Sequence, residues 1–237
     1  MKLKFTRQVL FTSAAVFALS APAFALDGAD VLKKINAAYA AQGGEISAKS
    51  TVVNGSTVTL GDVTFAVATD PSKKIPVGTI TLEGVEENNG GYTVETARFG
   101  NVDYNQDNMA FKASDIYMSG LTIPADATTG TVDALLFYDE AHSGPVSLSI
   151  GGKEAFSLTE STATMSLSDD KNTVGFDLNA SGFKADLSEV EDPATKDAID
   201  KLNLQSISGE MTVSGSWEIK SGTVDIDEYA LDLDNVG

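Results

Sequence analysis

From Ile207 to Ile219 every odd position is apolar or glycine (Ile207, Gly209, Met211, Val213, Gly215, Trp217, Ile219), and every even position from Ser206 to Lys220 is polar. A period of two is the signature of a strand that is dry on one face and wet on the other. At about 3.3 Å per residue such a strand spans roughly 43 Å, far beyond the usual length of about five or six residues. Lys220-Ser221-Gly222 breaks the pattern, and a second alternating run follows through Val224, Ile226, Tyr229, Leu231 and Leu233. The pair predicts a long hairpin, and with it a wide sheet of long antiparallel strands.

Between Thr51 and Ile123 the alternation recurs in short runs whose parity keeps switching. Apolar residues sit three apart at Leu60-Gly-Asp-Val63, Leu82-Glu-Gly-Val85, Phe99-Gly-Asn-Val102 and Met118-Ser-Gly-Leu121, and again at Leu233-Asp-Asn-Val236. A parity switch inside a regular strand turns its apolar set to water, so each site predicts a bulge or corner. Glycine, Asn or Asp supplies the backbone freedom such a bulge uses. The sites read as a degenerate repeat. Their unequal spacing favours a bulged antiparallel sheet, with a β-solenoid as the alternative.

Two short helices complete the expected fold, which is mainly β. The first lies within residues 26–44: Val31, Leu32, Ile35, Ala38 and Tyr39 share a helical face, Asp27 caps the start, and Gly43-Gly44 ends it. The second opens at Asp192-Pro193 and carries Ala198, Ile199 and Leu202 on one face. Ala125–Gly144 is read as a short helix or turn, with a strand through Leu136-Phe137-Tyr138 as the alternative. Hairpins follow from Val146 to Leu158 and from Ala163 to Ala180. The β-rich region is taken as residues 45–237. Because the chain stops directly after a switch of the recurring kind, the sheet is expected to continue beyond Gly237 in a longer parent sequence.

Residues 1–25 change the picture of where this sheet works. Lys2, Lys4 and Arg7 precede an apolar run from Val9 to Leu19, and Ala23-Phe24-Ala25 is a small-x-small cleavage pattern. The run is too short for the roughly 20 residues a membrane span needs. The expectation is a signal peptide cleaved after Ala25, with no transmembrane segment afterwards and a periplasmic or secreted destination. Removing three basic residues and no acidic ones takes the formal charge from −18 to −21. Such a surface repels nucleic acid and anionic membranes. The chain has no cysteine, so burial of its apolar surface, and no disulfide, must hold it together.

Catalytic motifs are absent from the sequence. His142 is the sole histidine, and beside Gly144-Pro145 it reads as a solvated loop residue. There is no Gly-x-Ser-x-Gly, His-Glu-x-x-His or phosphate-binding glycine loop. Asp225, Asp227, Glu228, Asp232 and Asp234 crowd the last hairpin, but their alternation with apolar residues is that of a wet strand face, without calcium-loop spacing. No cofactor or metal is expected. Met211, Val213 and Trp217 share the dry parity of the long strand, and are either core or the wall of an apolar groove.

The alternating runs, the glycine-containing switches and the closing SGEMTVSGSWEIKSGTVDIDEYALDLDNVG resemble Gram-negative envelope proteins built of degenerate β-repeats: periplasmic proteins of alphaproteobacterial type and, more distantly, AsmA-like proteins. The resemblance runs from about Ser50 to Gly237 and carries over no functional residue. It implies a non-catalytic envelope protein, with lipid handling in the AsmA-like members. The expected function is therefore binding of a lipid or other apolar ligand on the dry face of a curved sheet, with Met211, Val213 and Trp217 as contacts and an envelope protein as a further partner. The alternative is a secreted or surface interaction module that uses its acidic face. A hydrolase built on Asp or Glu ranks last.

Overall fold

The computed structural model describes residues 26–41, 43–67, 70–106, 108–127, 135–188, 201, 205–219 and 221–236. The expected signal peptide with its Ala25 site lies outside them, as does nearly all of the helix expected from Asp192.

Helix α1 (Gly28–Ala41) forms where the 3.6-residue pattern predicts it. The Asp27 carboxylate caps its start, accepting from the N–H groups of Ala29 and Asp30 at 2.9 and 3.2 Å. Val31, Ile35 and Ala38 are buried, and Gly43 ends the element in the left-handed region.

Sixteen strands among the described residues form one antiparallel sheet. They resolve into ten legs, many of them broken once along their length. In chain order these are β1 (Gly44–Ser47) with β2 (Ser50–Asn54); β3 (Thr57–Val67); β4 (Asp70–Glu83) with β5 (Glu86–Asn88); β6 (Gly91–Phe99) with β7 (Val102–Gln106); and β8 (Met109–Ala113) with β9 (Ile116–Ile123). Then come β10 (Glu140–Ser143) with β11 (Val146–Ile150); β12 (Lys153–Leu158) with β13 (Glu160–Leu167); β14 (Thr173–Asp186); β15 (Ser206–Glu218); and β16 (Thr223–Val236). Each leg pairs with the legs before and after it in sequence, so the topology is a meander. Antiparallel neighbours exclude the solenoid, whose successive coils would stack parallel strands.

Many breaks leave the register intact. Strand β6 pairs β9 from Tyr92↔Ile123 to Phe99↔Ile116, and β7 resumes with β8 at Val102↔Ala113. Beyond them, β10 leaves β13 at Ser143↔Ser161, and β11 takes up β12 at Val146↔Leu158. The breaks at Gly100-Asn101, Ser114-Asp115, Gly144-Pro145 and Thr159 therefore lie side by side, forming a crease across the sheet. Backbone bonds cross it from Gly144 N–H to Ser114 O (3.1 Å) and from Thr159 N–H to Ser181 O (2.9 Å).

Elsewhere a parity switch is made at a left-handed residue: at Asp62, β3 also carries one residue more than β4 between Leu60↔Ile80 and Val63↔Gly78, whereas at Gly84 and Gly120 the pairing with β6 keeps its register. Asp62 (φ 51°), Gly84 (φ 64°) and Gly120 (φ 62°) take the left-handed conformation at three of the sequence switches. The apolar residues on both sides then face the same way: Leu60 and Val63 are fully buried, and Leu82 and Val85 nearly so. In β16 the extra residues are Asp227, between the pairs Ser214↔Glu228 and Gly215↔Ile226, and Asp234, between Ser208↔Asn235 and Gly209↔Leu233.

The expected helix or turn within Ala125–Gly144 is corrected over its described part. Phe137 bridges to Thr122, and Glu140–Ser143 is strand β10. Unpaired N–H and C=O groups along β9 and β13 capture this segment as a strand.

The core is concentrated in the first legs. α1 lies on β1, β2 and β9, and one cluster joins Val31 and Ile35 to Leu60, Ile80, Leu82 and Val94 across the sheet. Past β13 the layer thins: Val174, Ala180 and Ile219 are buried, whereas Val224, Ile226, Tyr229 and Leu233 of β16 are exposed.

Candidate apolar ligand site

Beneath α1 the face of the sheet that packs on the helix is incompletely filled, leaving a partly open cavity of about 320 Å³. Its roof is Ile35 and Tyr39 of α1, its floor comes from β1, β3, β4, β6 and β9, and Leu136 and Tyr138 close one side. Register explains the hollow. One cross-strand row runs Leu60–Ile80–Phe99, and the next runs Leu82–Ala97–Met118. Ala97, fully buried between two long side chains, is the only one-carbon side chain among the described lining residues, and the floor sinks there.

The roof is held by polar clasps at its edges. The Tyr92 hydroxyl donates to Asp30 Oδ2 at 2.8 Å. Lys34 Nζ sits 3.5 Å from the same oxygen and donates to the Ala125 carbonyl at 3.3 Å. The Ile46 N–H donates to Asn36 Oδ1 at 3.0 Å, tying α1 to β1. Burial first, and then the bond to Asp30, push the Tyr92 phenol up to about 12.

Tyr39 packs its ring 5.2 Å from that of Phe65, tilted by 55°, and lies against the backbone of Gly44, where any side chain would collide with it. Tyr138 is half-buried, and burial raises its pKa. Among the described residues the phenols of Tyr39 and Tyr138 are the polar groups of the lining, and no charged residue lines it. Chemically, the cavity offers hydrocarbon contact and two hydroxyl groups.

The residues expected to contact a ligand lie elsewhere. Met211, Val213 and Trp217 are half-buried on β15, opposite Leu231, Tyr229 and Val224 on one side and Ala180, Leu178 and Val174 on the other. They share one apolar face, but none of them lines the cavity. Met211 borders a separate cleft of about 180 Å³ whose other walls include Glu160, Thr162 and Asn179. The sequence signal for the cavity was present in Ile35 and Tyr39 of the helix face. What it lacked was the identity of the strands beneath them.

His142 is corrected from a solvated loop to a sheet position. Its side chain is 12 % exposed, with ring nitrogens 3.7 Å from Asp115 and 3.6 Å from Glu160. The ring stacks on Tyr117 at 4.7 Å, which in turn lies under Arg98. Gly144-Pro145 is a crease within a continuing leg, so His142 has strands on both sides. Asp225 and Asp227 lie on exposed β16. Asp170 caps its turn: the Asn172 amide first, and then the Ser168 hydroxyl, hold it down at about 2. Among the described residues no three His, Asp or Glu side chains converge as metal ligands, and no helix is long and apolar enough to cross a membrane.

No protein-family model, curated protein or solved structure matches this chain.

Proposed function

We propose that this chain is an exported, non-enzymatic envelope protein that binds a lipid-like apolar molecule in the cavity beneath α1. The observation that carries the reading is a volume of about 320 Å³ bounded by hydrocarbon and two phenols. That volume falls within the roughly 300–1,000 Å³ range of ligand sites. Its lining is almost wholly hydrocarbon, so an apolar occupant would remove apolar surface from water on both partners. Export rests on the basic and apolar pattern of residues 1–25. The non-enzymatic reading is supported by a lining that, among the described residues, offers no carboxylate, imidazole or amine.

The test is native purification of the exported protein from a bacterial periplasm, followed by mass spectrometry of an organic extract. A stoichiometric apolar molecule that is lost in Met118→Trp, where the indole fills the floor, is the expected result. An empty wild-type protein whose melting temperature is unmoved by saturating apolar probes would overturn the reading.

A further inference from the structure

The geometry points to an uncharged ligand: a single chain or compact ring system of roughly a dozen carbons, bearing at most a hydroxyl or carbonyl oxygen. This deepens the apolar-ligand reading and rests on it. An engineered apolar cavity of about 150 Å³ takes a benzene ring, and scaling by volume to about 320 Å³ gives that chain length. A two-chain phospholipid exceeds it.

Charge decides the class. Among the described residues no lysine, arginine or histidine lines the cavity, so a carboxylate or phosphate carried inside would be desolvated without a partner from them. The cation next to Ile35 on the roof, Lys34, is already held between Asp30 and the Ala125 carbonyl. The rest of the mature molecule, at a formal −21 once Lys2, Lys4 and Arg7 are removed from the −18 of the full chain, repels an approaching anion. A cationic head fares no better, since no acidic side chain among the described residues lines the cavity either. The phenols of Tyr39 and Tyr138 make no hydrogen bond among the described residues, and they suit one neutral oxygen, to which a protonated phenol donates.

Delipidated full-length mature protein would be titrated calorimetrically at neutral pH with decane, 1-decanol, decanoate and decylammonium, each below its aggregation concentration. One-to-one binding of 1-decanol, with decanoate and decylammonium at least tenfold weaker, is expected. Tyr39→Phe and Tyr138→Phe should weaken 1-decanol several-fold and leave decane unchanged. Met118→Trp should abolish binding of both, and Leu136→Trp, placed at the cavity's side, does the same test should the first variant fail to fold. Decanoate or decylammonium binding as tightly as 1-decanol would overturn the inference while leaving the apolar-ligand reading intact. Absence of binding by all four probes, or 1-decanol binding undiminished in a folded cavity-filled variant, would overturn that reading itself.

Discussion

The Tyr92 hydroxyl donates to the Asp30 carboxylate at 2.8 Å, joining the first turn of α1 to a strand 62 residues further along the chain. It fixes one end of the cavity roof, and it makes the roof sensitive to alkali. The fold raises the phenol to about 12 from its ordinary value of 10.0, so it favours the neutral form. The stabilising contribution is complete below about pH 10 and is lost as pH rises through 10 towards 12. Tyr92→Phe should cost about 1–2 kcal/mol at neutral pH and flatten the loss of stability in that alkaline window. Urea melts of both proteins across pH 8–12 check it; parallel curves would refute the assignment.

Helix α1 should be sensitive at its cap. Asp27→Ala removes the acceptor for two backbone N–H groups and should cost about 1 kcal/mol. Asp27→Asn, which keeps the acceptor, should cost less. Chemical denaturation separates the two.

Gly84 combines a φ of 64° with close approach to the Glu95 Cβ, 2.7 Å from where a methyl group would stand. Gly84→Ala should therefore exceed the about 1–2 kcal/mol of the left-handed conformation alone. Gly55→Ala has a similar φ and nothing within 4 Å, so it should stay near that figure. Equal losses in the two variants would show that the crowding at Gly84 is relieved.

Burial differs along the sheet, and substitutions should report it. Leu82, 1 % exposed, should lose about 2–5 kcal/mol on change to Ala. Tyr229, 64 % exposed on β16, should lose no more than about 0.5 kcal/mol on change to Ser. A large loss at Tyr229 would mean that its face is covered in solution.

The period of two in Ser206–Lys220 is enough by itself to define β15, because alternation is a property of the strand and needs no partner. The switches at Leu60–Val63, Leu82–Val85 and Met118–Leu121 are equally local: there the apolar face is kept through the parity change by Asp62, Gly84 or Gly120 in the left-handed region. Helix α1 follows from Asp27, Ile35 and Gly43 for the same reason. What no local pattern contains is adjacency. That the breaks at Gly144-Pro145 and Thr159 align into a crease depends on register between legs, and this moved His142 from a loop into the sheet. That Ala97 falls between Leu82 and Met118, beneath Ile35 and Tyr39, depends on three strands and a helix meeting. Alternation makes Met211, Val213 and Trp217 dry-facing just as it does Leu60 and Leu82. Only the tertiary structure places α1 over the second set, because a face is closed by what lies above it and not by its own sequence.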